Sequence, residues 1–496
     1  MASGDKTVSA LATLVGGAFV GETDPAVRDV THDSRQVRDG SLYVAIRGER
    51  ADGHSFVSSA ATAGAAAVCV DHEMEAAVPQ IVVENTRAAL GDLAAAVHDH
   101  PSQALEVIGV TGTNGKTTVT HFVESMARHA GRVTGLIGTI HTRSAGITTP
   151  ATLTTPEASD FQRLLAGMRD DGVSLVATEV SSHALEYGRV RGTRFAVAAF
   201  TNLTQDHLDF HGDMASYRAA KMRLFSEYEV GTAVVNVDDP VGADLADSYK
   251  GELLTVGRGA QVSIHHIEST AKGHTRFHLE TPWGGANVPV PVVGQFNLSN
   301  LAIAAACLVA AGIDFGEVAG ALPHVAVVPG RFEIISGDDP IMVIIDFAHT
   351  PEAVATALET GRELSRGRVI ALIGAGGDRD RAKRPAMGAA ISAADLAVIT
   401  SDNPRSEDPH QIAEAVMSGV PADSNHLLEI DRRTAIDAAI DAADDGDVVL
   451  VLGRGHEPEQ DLGFEKVPFD DREVAAESLR RRRSAESGGG SGSMSP

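Results

Sequence analysis

The sequence predicts an α/β protein of three domains: a central P-loop-type domain on a mostly parallel sheet, flanked by a small N-terminal α/β domain and a Rossmann-like C-terminal domain. Three observations predict it. Short aliphatic runs at 107–110, 175–179, 197–201, 232–236, 342–346, 369–374, 396–401 and 447–453 alternate with Ala-rich helical stretches. Several of these runs end in polar or Gly-rich tips, where open α/β sheets bind ligands. One tip carries a Gly-rich loop between a buried strand and a helix, the context of a phosphate cradle.

The chain's 496 residues suit two to four domains. Aromatics are 4% of residues against 43% hydrophobic, so the cores are expected to be aliphatic. The net charge of −26, from 41 basic and 67 acidic residues, repels nucleic acid and anionic membranes. A polyanionic substrate would therefore need local basic clusters. Cys69 and Cys307 sit in apolar runs and read as buried thiols rather than a disulfide or metal pair. No apolar run reaches the ~18 residues of a membrane span. Residues 9–20 are mildly apolar without a basic flank and read as a helix, not a signal peptide. The expectation is a cytoplasmic monomer.

Three blocks are expected. Residues 1–103 form a small α/β unit closed by His100-Pro101-Ser102. Residues 104–331 form a larger unit opening on the phosphate loop. Its Gly294-Gln295-Phe296-Asn297 segment leads an Ala-rich helix that reads as the last before a linker at Pro329-Gly330-Arg331. Residues 332–482 form the third block, and the low-complexity stretch 483–496 is expected to be disordered. There is no internal repeat.

The loop is Gly112-Thr113-Asn114-Gly115-Lys116-Thr117-Thr118, after the buried run Val107-Ile108-Gly109-Val110. Gly112 and Gly115 allow tight turns that point backbone N–H groups inward. The helix N-terminus adds about half a positive charge. Lys116 should reach the β and γ phosphates of ATP, and the Thr117 hydroxyl should ligate Mg²⁺. The strict phosphate-loop pattern fails at its first glycine, because Val110 stands there.

Thr111-Gly112-Thr113-Asn114-Gly115-Lys116-Thr117-Thr118 resembles the ATP loop of the Mur ligase family. The likeness continues in order and spacing over nearly the whole chain, and is greatest to the branch that adds meso-diaminopimelate. The resemblance implies an ATP-dependent ligase: ATP phosphorylates a carboxylate of UDP-N-acetylmuramoyl-L-alanyl-D-glutamate, and the amine of meso-diaminopimelate attacks the acyl phosphate. Catalysis is then mostly positioning and charge neutralisation.

On residues alone, a lone Glu179 at a strand tip is more often a loop cap or salt-bridge partner, although a strand tip beside a phosphate loop suits a Mg²⁺ ligand; His207 reads as a hydrogen-bonding loop residue and Lys221 as a solvated helix lysine. The resemblance implies that Glu179 and His207 hold a second Mg²⁺ and that Lys221 is carbamylated in support. A carbamylated lysine requires a neutral amine and hence a depressed pKa. Asn297 and Arg331 resemble the family's adenine-side and hinge contacts, and Asp346 opens a stretch that resembles its nucleotide-sensing segment in the third block. Asp346-Phe347-Ala348-His349 departs from the family at Phe347, where a tyrosine is usual.

Ser34 in Thr31-His32-Asp33-Ser34-Arg35 resembles the segment that holds the uridine diphosphate. Arg47-Gly48-Glu49-Arg50-Ala51-Asp52-Gly53 resembles a second loop there, although mixed charge on an exposed loop is also common. Thr154-Thr155-Pro156 resembles the sugar-peptide clamp; Thr155 is also a fair helix N-cap with Pro156 at the first helical position. Ser181 and Arg189 resemble contacts to the acidic peptide, while Tyr187 departs from some members. In the third block, Arg405 and Arg379 could take the carboxylates of diaminopimelate, and Asp402 and Glu457 its distal ammonium. They lie in Asp402-Asn403-Pro404-Arg405, Gly376-Gly377-Asp378-Arg379 and Gly453-Arg454-Gly455-His456-Glu457. Arg454 replaces the family's usual lysine with its charge kept. L-Lysine lacks the distal carboxylate and would leave an arginine unpaired, which favours diaminopimelate.

Overall fold

A computed structural model describes residues 6–48, 51–269, 273–337 and 339–489. The central domain is an eight-stranded sheet. Its six parallel strands run in the order Glu252–Val256, Val230–Asn236, Phe195–Phe200, Glu106–Thr111, Leu175–Glu179 and Thr134–Ile137. An antiparallel hairpin, His141–Ser144 and Ile147–Pro150, extends one edge. Strand order reverses about Glu106–Thr111, which opens a crevice at the carboxyl ends, where such sheets take ligands. The parallel strands are apolar throughout because helices cover both faces. Each expected strand is found within two residues of its predicted ends.

The N-terminal domain is a five-stranded sheet, parallel except for its edge strand Ala18–Val20. The helix expected over 9–20 is shorter, Val8–Leu14, because Gly16 takes φ +65° and ends it. This domain docks on the central one through Arg163 to Asp29 (3.1 Å) and His32 to Ser159 (2.9 Å). Cys69 and Cys307 are free and buried, and burial pushes both thiols up.

The C-terminal sheet runs Glu333–Ile334, Met342–Asp346, Val448–Leu452, Val369–Ile373, Leu396–Ile399 and His426–Leu428, parallel after its first strand. The loops after Asp346, Ile373, Ile399 and Leu452 all leave the same edge of the sheet, and residues from each line the cavity at the centre of the candidate site.

Two expectations on organisation are corrected, and one sheet was not expected. The helix Gln295–Ala310 is not the last before the linker: Phe315–Ala321 and a short 3-10 turn follow, packed on the same core. A three-stranded antiparallel sheet, Ser263–Ser269, Thr275–Thr281 and Gly284–Val290, precedes it. The boundary at 482 falls inside the helix Asp471–Gly489, which continues because Arg481 pairs with Asp437 (2.9 Å) and Arg482 donates to the Ile440 carbonyl (2.8 Å) on Arg432–Asp441. The rest of the expected disordered tail, 490–496, lies outside the described residues. Among the described residues no helix is long and apolar enough to cross a membrane.

Candidate active site

A cavity of about 580 Å³ lies between the carboxyl ends of the central and C-terminal sheets. The phosphate loop forms its floor. Gly112 takes φ +147°, and a Cβ there would stand 1.9 Å from the Thr201 hydroxyl; at Gly115, φ +87°, it would stand 2.4 Å from Asn300. Both glycines are thus required by conformation and by close approach. Lys116 opens the helix Lys116–His129 and curls back to donate to the carbonyls of Gly112 (2.9 Å) and Thr113 (2.8 Å).

Thr117 and Glu179 meet beside it. The Thr117 hydroxyl donates to Glu179 Oε2 at 3.0 Å and accepts from Arg331 at 3.0 Å. Glu179, 1% exposed, also accepts from the Thr139 backbone N–H (2.7 Å) and hydroxyl (3.1 Å). Lys221, equally buried on the helix Met214–Ser226, donates to the Gly112 carbonyl at 2.7 Å and lies 4.4 Å from the Tyr217 ring centroid. Burial, reinforced by Lys116, lowers its pKa well below the ordinary lysine value. That is the direction in which carbamylation would need the amine to shift.

His207 caps the short helix Leu208–His211 with φ +54°, and burial lowers its pKa to about 3, so the imidazole is neutral. Asp206 beside it is buried and faces His207 (3.4 Å), His349 (3.6 Å) and Lys383 (3.8 Å). Burial alone would raise the Asp206 carboxyl; these basic neighbours outweigh it and hold the group well below the usual range. Among the described residues eight besides glycine take a positive φ; four of them, His207, Phe332, Asp378 and Arg405, are at or beside this cavity, and Asp99, His100, Ala145 and His266 are elsewhere. Such strain is often found at functional sites.

The C-terminal wall is built from four loops. Asn403 donates to Glu457 at 2.6 Å, and its backbone N–H bonds Asp402 at 2.6 Å. Burial raises Glu457, and the like charge of Asp402 raises it further. Gly453 leaves room for Asp402, since a Cβ would stand 2.8 Å from its carboxylate. Arg405 is half-buried and donates to the Gly377 carbonyl at 2.6 Å, and Arg379 is exposed at the rim. Two carboxylates beside two guanidinium groups suit a ligand bearing both charges.

Three family models match in order: "Mur ligase family, catalytic domain" over 26–98, "Mur ligase middle domain" over 110–308 and "Mur ligase, glutamate ligase domain" over 330–455. A UDP-N-acetylmuramoyl-L-alanyl-D-glutamate–2,6-diaminopimelate ligase of Geobacillus thermodenitrificans is 45% identical over 93% of this chain and 96% of its own. One of the same name from Gloeobacter violaceus is 46% identical over 93% and 95%.

The chain belongs to the Mur ligase family.

It is an ATP-dependent ligase that forms an amide bond. A solved structure of a ligase bearing the same name as these relatives superposes with a TM-score of 0.67 at 30% identity, covering 94% of this chain and 97% of that one. A MurF ligase from Thermotoga maritima, solved with ADP, shares the fold with a TM-score of 0.64 at 21% identity, covering 92% and 99%.

The Mur ligase cavity gathers Thr113 to Thr118, Thr154, Glu179, Ser181, His207, Lys221, Arg331 and Asp346, with Arg379, Asp402, Asn403, Arg405, Gly453 and Glu457 opposite. Other expected residues lie behind its lining. Thr111 ends its strand under the loop, and Pro404 is buried behind Asn403. Asn297 bonds the Val293 carbonyl (3.1 Å), while its neighbours Phe296 and Asn300 line the cavity. Thr155 is not an N-cap: the helix Ala158–Asp170 is capped at Glu157, and the Thr155 hydroxyl donates to the Glu179 carbonyl at 2.8 Å. Arg189 pairs with Glu157 at 3.0 Å, and Ser34 opens a 3-10 turn on the N-terminal domain. Glu49 and Arg50 lie outside the described residues. Arg454 does not face the cavity; it is 0% exposed and donates to the carbonyls of Glu459 (2.7 Å) and Phe469 (3.0 Å). Thr139, Asp206 and Lys383 line the site without having been singled out, because their partners are far away in sequence. The run Thr204-Gln205-Asp206-His207 was the one available signal for Asp206.

Proposed function

We propose that this Mur ligase joins meso-diaminopimelate to UDP-N-acetylmuramoyl-L-alanyl-D-glutamate in the cytoplasm, consuming ATP and releasing ADP and phosphate. The observation that carries the reading is one cavity lined both by the phosphate loop and by the Asp402–Glu457 and Arg405 wall. A phosphate-holding floor facing a zwitterion-selective wall is what coupling ATP to an amine acceptor requires.

In this reading a carboxylate oxygen of the dipeptide attacks the γ-phosphorus and ADP leaves. The amine nitrogen then attacks the acyl carbon, the amine gives up a proton, and the carbon–oxygen bond to phosphate breaks. Lys116 and the loop N–H groups hold the phosphates. Thr117, Glu179, His207 and Lys221 as a carbamate would hold Mg²⁺. The fit is supported by the Thr117 and Glu179 oxygens 3.0 Å apart beside Lys116, and by a neutral imidazole. When bound, Mg²⁺ supplies charge neutralisation at the phosphate oxygens. Thr111, Asn297, Arg331 and Asp346 position the nucleotide from behind or from the hinge.

Thr154 and Ser181 take the peptide end of the UDP-linked substrate, supported by Thr155, and Ser34 takes its diphosphate. Arg189 reaches the substrate's acidic group by exchanging Glu157 for it. On the other wall Arg405 and Arg379 take carboxylates, and Asp402 and Glu457, fixed by Asn403, Pro404 and Gly453, take the distal ammonium. The test is phosphate release with purified UDP-muramoyl dipeptide, comparing meso-diaminopimelate with L-lysine. Release that depends on meso-diaminopimelate supports the reading; equal use of lysine overturns the specificity, and release without any amine overturns ligation.

A further inference from the structure

Among the described residues, Asp206 is the carboxylate of the central domain seen to face basic side chains of the C-terminal domain across the cavity. It is 7% exposed and belongs to the loop after Phe195–Phe200. On its own domain it neighbours His207 (3.4 Å). Across the cavity it meets His349, from the loop after Met342–Asp346, at 3.6 Å, and Lys383, the first residue of the helix Lys383–Ile391, at 3.8 Å. Lys383 is itself largely buried, with 11% of its side chain exposed, and Asp206 is the carboxylate seen within ion-pair distance of it among the described residues. Lys383 also follows the Gly376–Asp380 loop that carries Arg379 on the amine-facing wall.

We propose that Asp206 is a positioning residue that docks the amine-binding C-terminal wall against the phosphate floor through Lys383 and His349. The proposal rests on the ligase reading above for its kinetic consequence, but not for the contact itself. A buried carboxylate facing a lysine and an imidazole on a separate domain favours the closed arrangement, since opening would leave Lys383 without its partner. Docking brings Arg379, Arg405 and Glu457 within reach of a carboxylate activated at Lys116 and Glu179. Asp206 thereby acts on amine capture, through the wall it holds, rather than on the phosphates.

The test is a double-mutant cycle in the full chain with Asp206→Asn, Lys383→Met and both together. Steady-state kinetics with varied meso-diaminopimelate would be paired with small-angle scattering in saturating ATP analogue. Each single change should raise the amine KM by roughly tenfold, leave nucleotide Kd within about twofold, and expand the scattering envelope. The double variant should fall no further than Asp206→Asn alone. Multiplying effects, or a loss confined to kcat with amine KM unchanged, would overturn the docking role. If Asp206→Asn does not fold, Lys383→Met and His349→Gln carry the same scattering and KM test from the other side of the contact. An envelope unchanged in those variants also overturns it. Absence of turnover in the wild type would sink the ligase reading and leave the scattering result standing.

Discussion

The hydroxyl of Thr117 donates to Glu179 across 3.0 Å, tying the first turn of the phosphate-loop helix to the end of the adjacent strand. Arg331, at the entry to the third domain, donates to the same hydroxyl. One small side chain thus joins floor, strand tip and hinge. Thr117→Val should leave both a buried guanidinium and a buried carboxylate short of a partner. The expected cost is about 10²-fold in kcat/KM with a fold stability loss of about 1–3 kcal/mol. Ser at the same position should recover most of it, which phosphate-release kinetics and thermal melting would check.

Lys221→Ala should abolish measurable ligation, on the order of 10²-fold or more, because a group supporting the metal would be gone. In the wild type, stripping bicarbonate and CO₂ from the buffer should lower activity, and adding bicarbonate should restore it. An active Lys221→Ala enzyme with no response to bicarbonate would dismiss carbamylation.

Arg405→Ala should act on the amine. Losing a charge-assisted contact to a carboxylate corresponds to about 1.5–3 kcal/mol, or roughly 10- to 100-fold in the KM for meso-diaminopimelate. The KM for ATP should stay within about twofold. Competition between meso-diaminopimelate and L-lysine should narrow in the variant, which product analysis by mass spectrometry reads directly.

Glu407 offers a pH test away from the chemistry. Its hydrogen bond from Arg384 (2.8 Å), with further help from the Asp378 N–H and Arg381, lowers its pKa from 4.5 to about 2. A carboxyl lowered on folding stabilises above its unfolded pKa and loses that contribution as pH falls. Glu407→Gln should therefore melt earlier than wild type at pH 7. The gap should shrink as pH drops from about 4.5 towards 2. A gap independent of pH would show that packing, not charge, holds this loop.

Strands buried on both faces were legible because parallel sheets demand unbroken aliphatic runs, as in Val448–Leu452. The phosphate loop was legible because Gly112, Gly115, Lys116 and Thr117 are adjacent in the chain. The antiparallel sheet that includes Thr275–Thr281 carries a different signal, alternation of buried and exposed residues such as Arg276 and Glu280, which a search for unbroken aliphatic runs passes over. Asp206 and Lys383 were missed for a different reason: neither means anything until the two sheets face each other. Thr155 was read as a cap from local spacing, but the Glu179 carbonyl, a strand away, claimed its hydroxyl.

The two walls of the cavity belong to different sheets, each contributing the loops at its own carboxyl edge. On the proposed function, energy coupling and choice of amine are written in separate stretches of chain. Substitutions confined to the loops around 374–380, 400–405 and 453–457 can change which building block is joined while the activation chemistry stays intact. On that reading, a lineage that edits one wall changes the amine it joins and leaves the phosphate floor untouched.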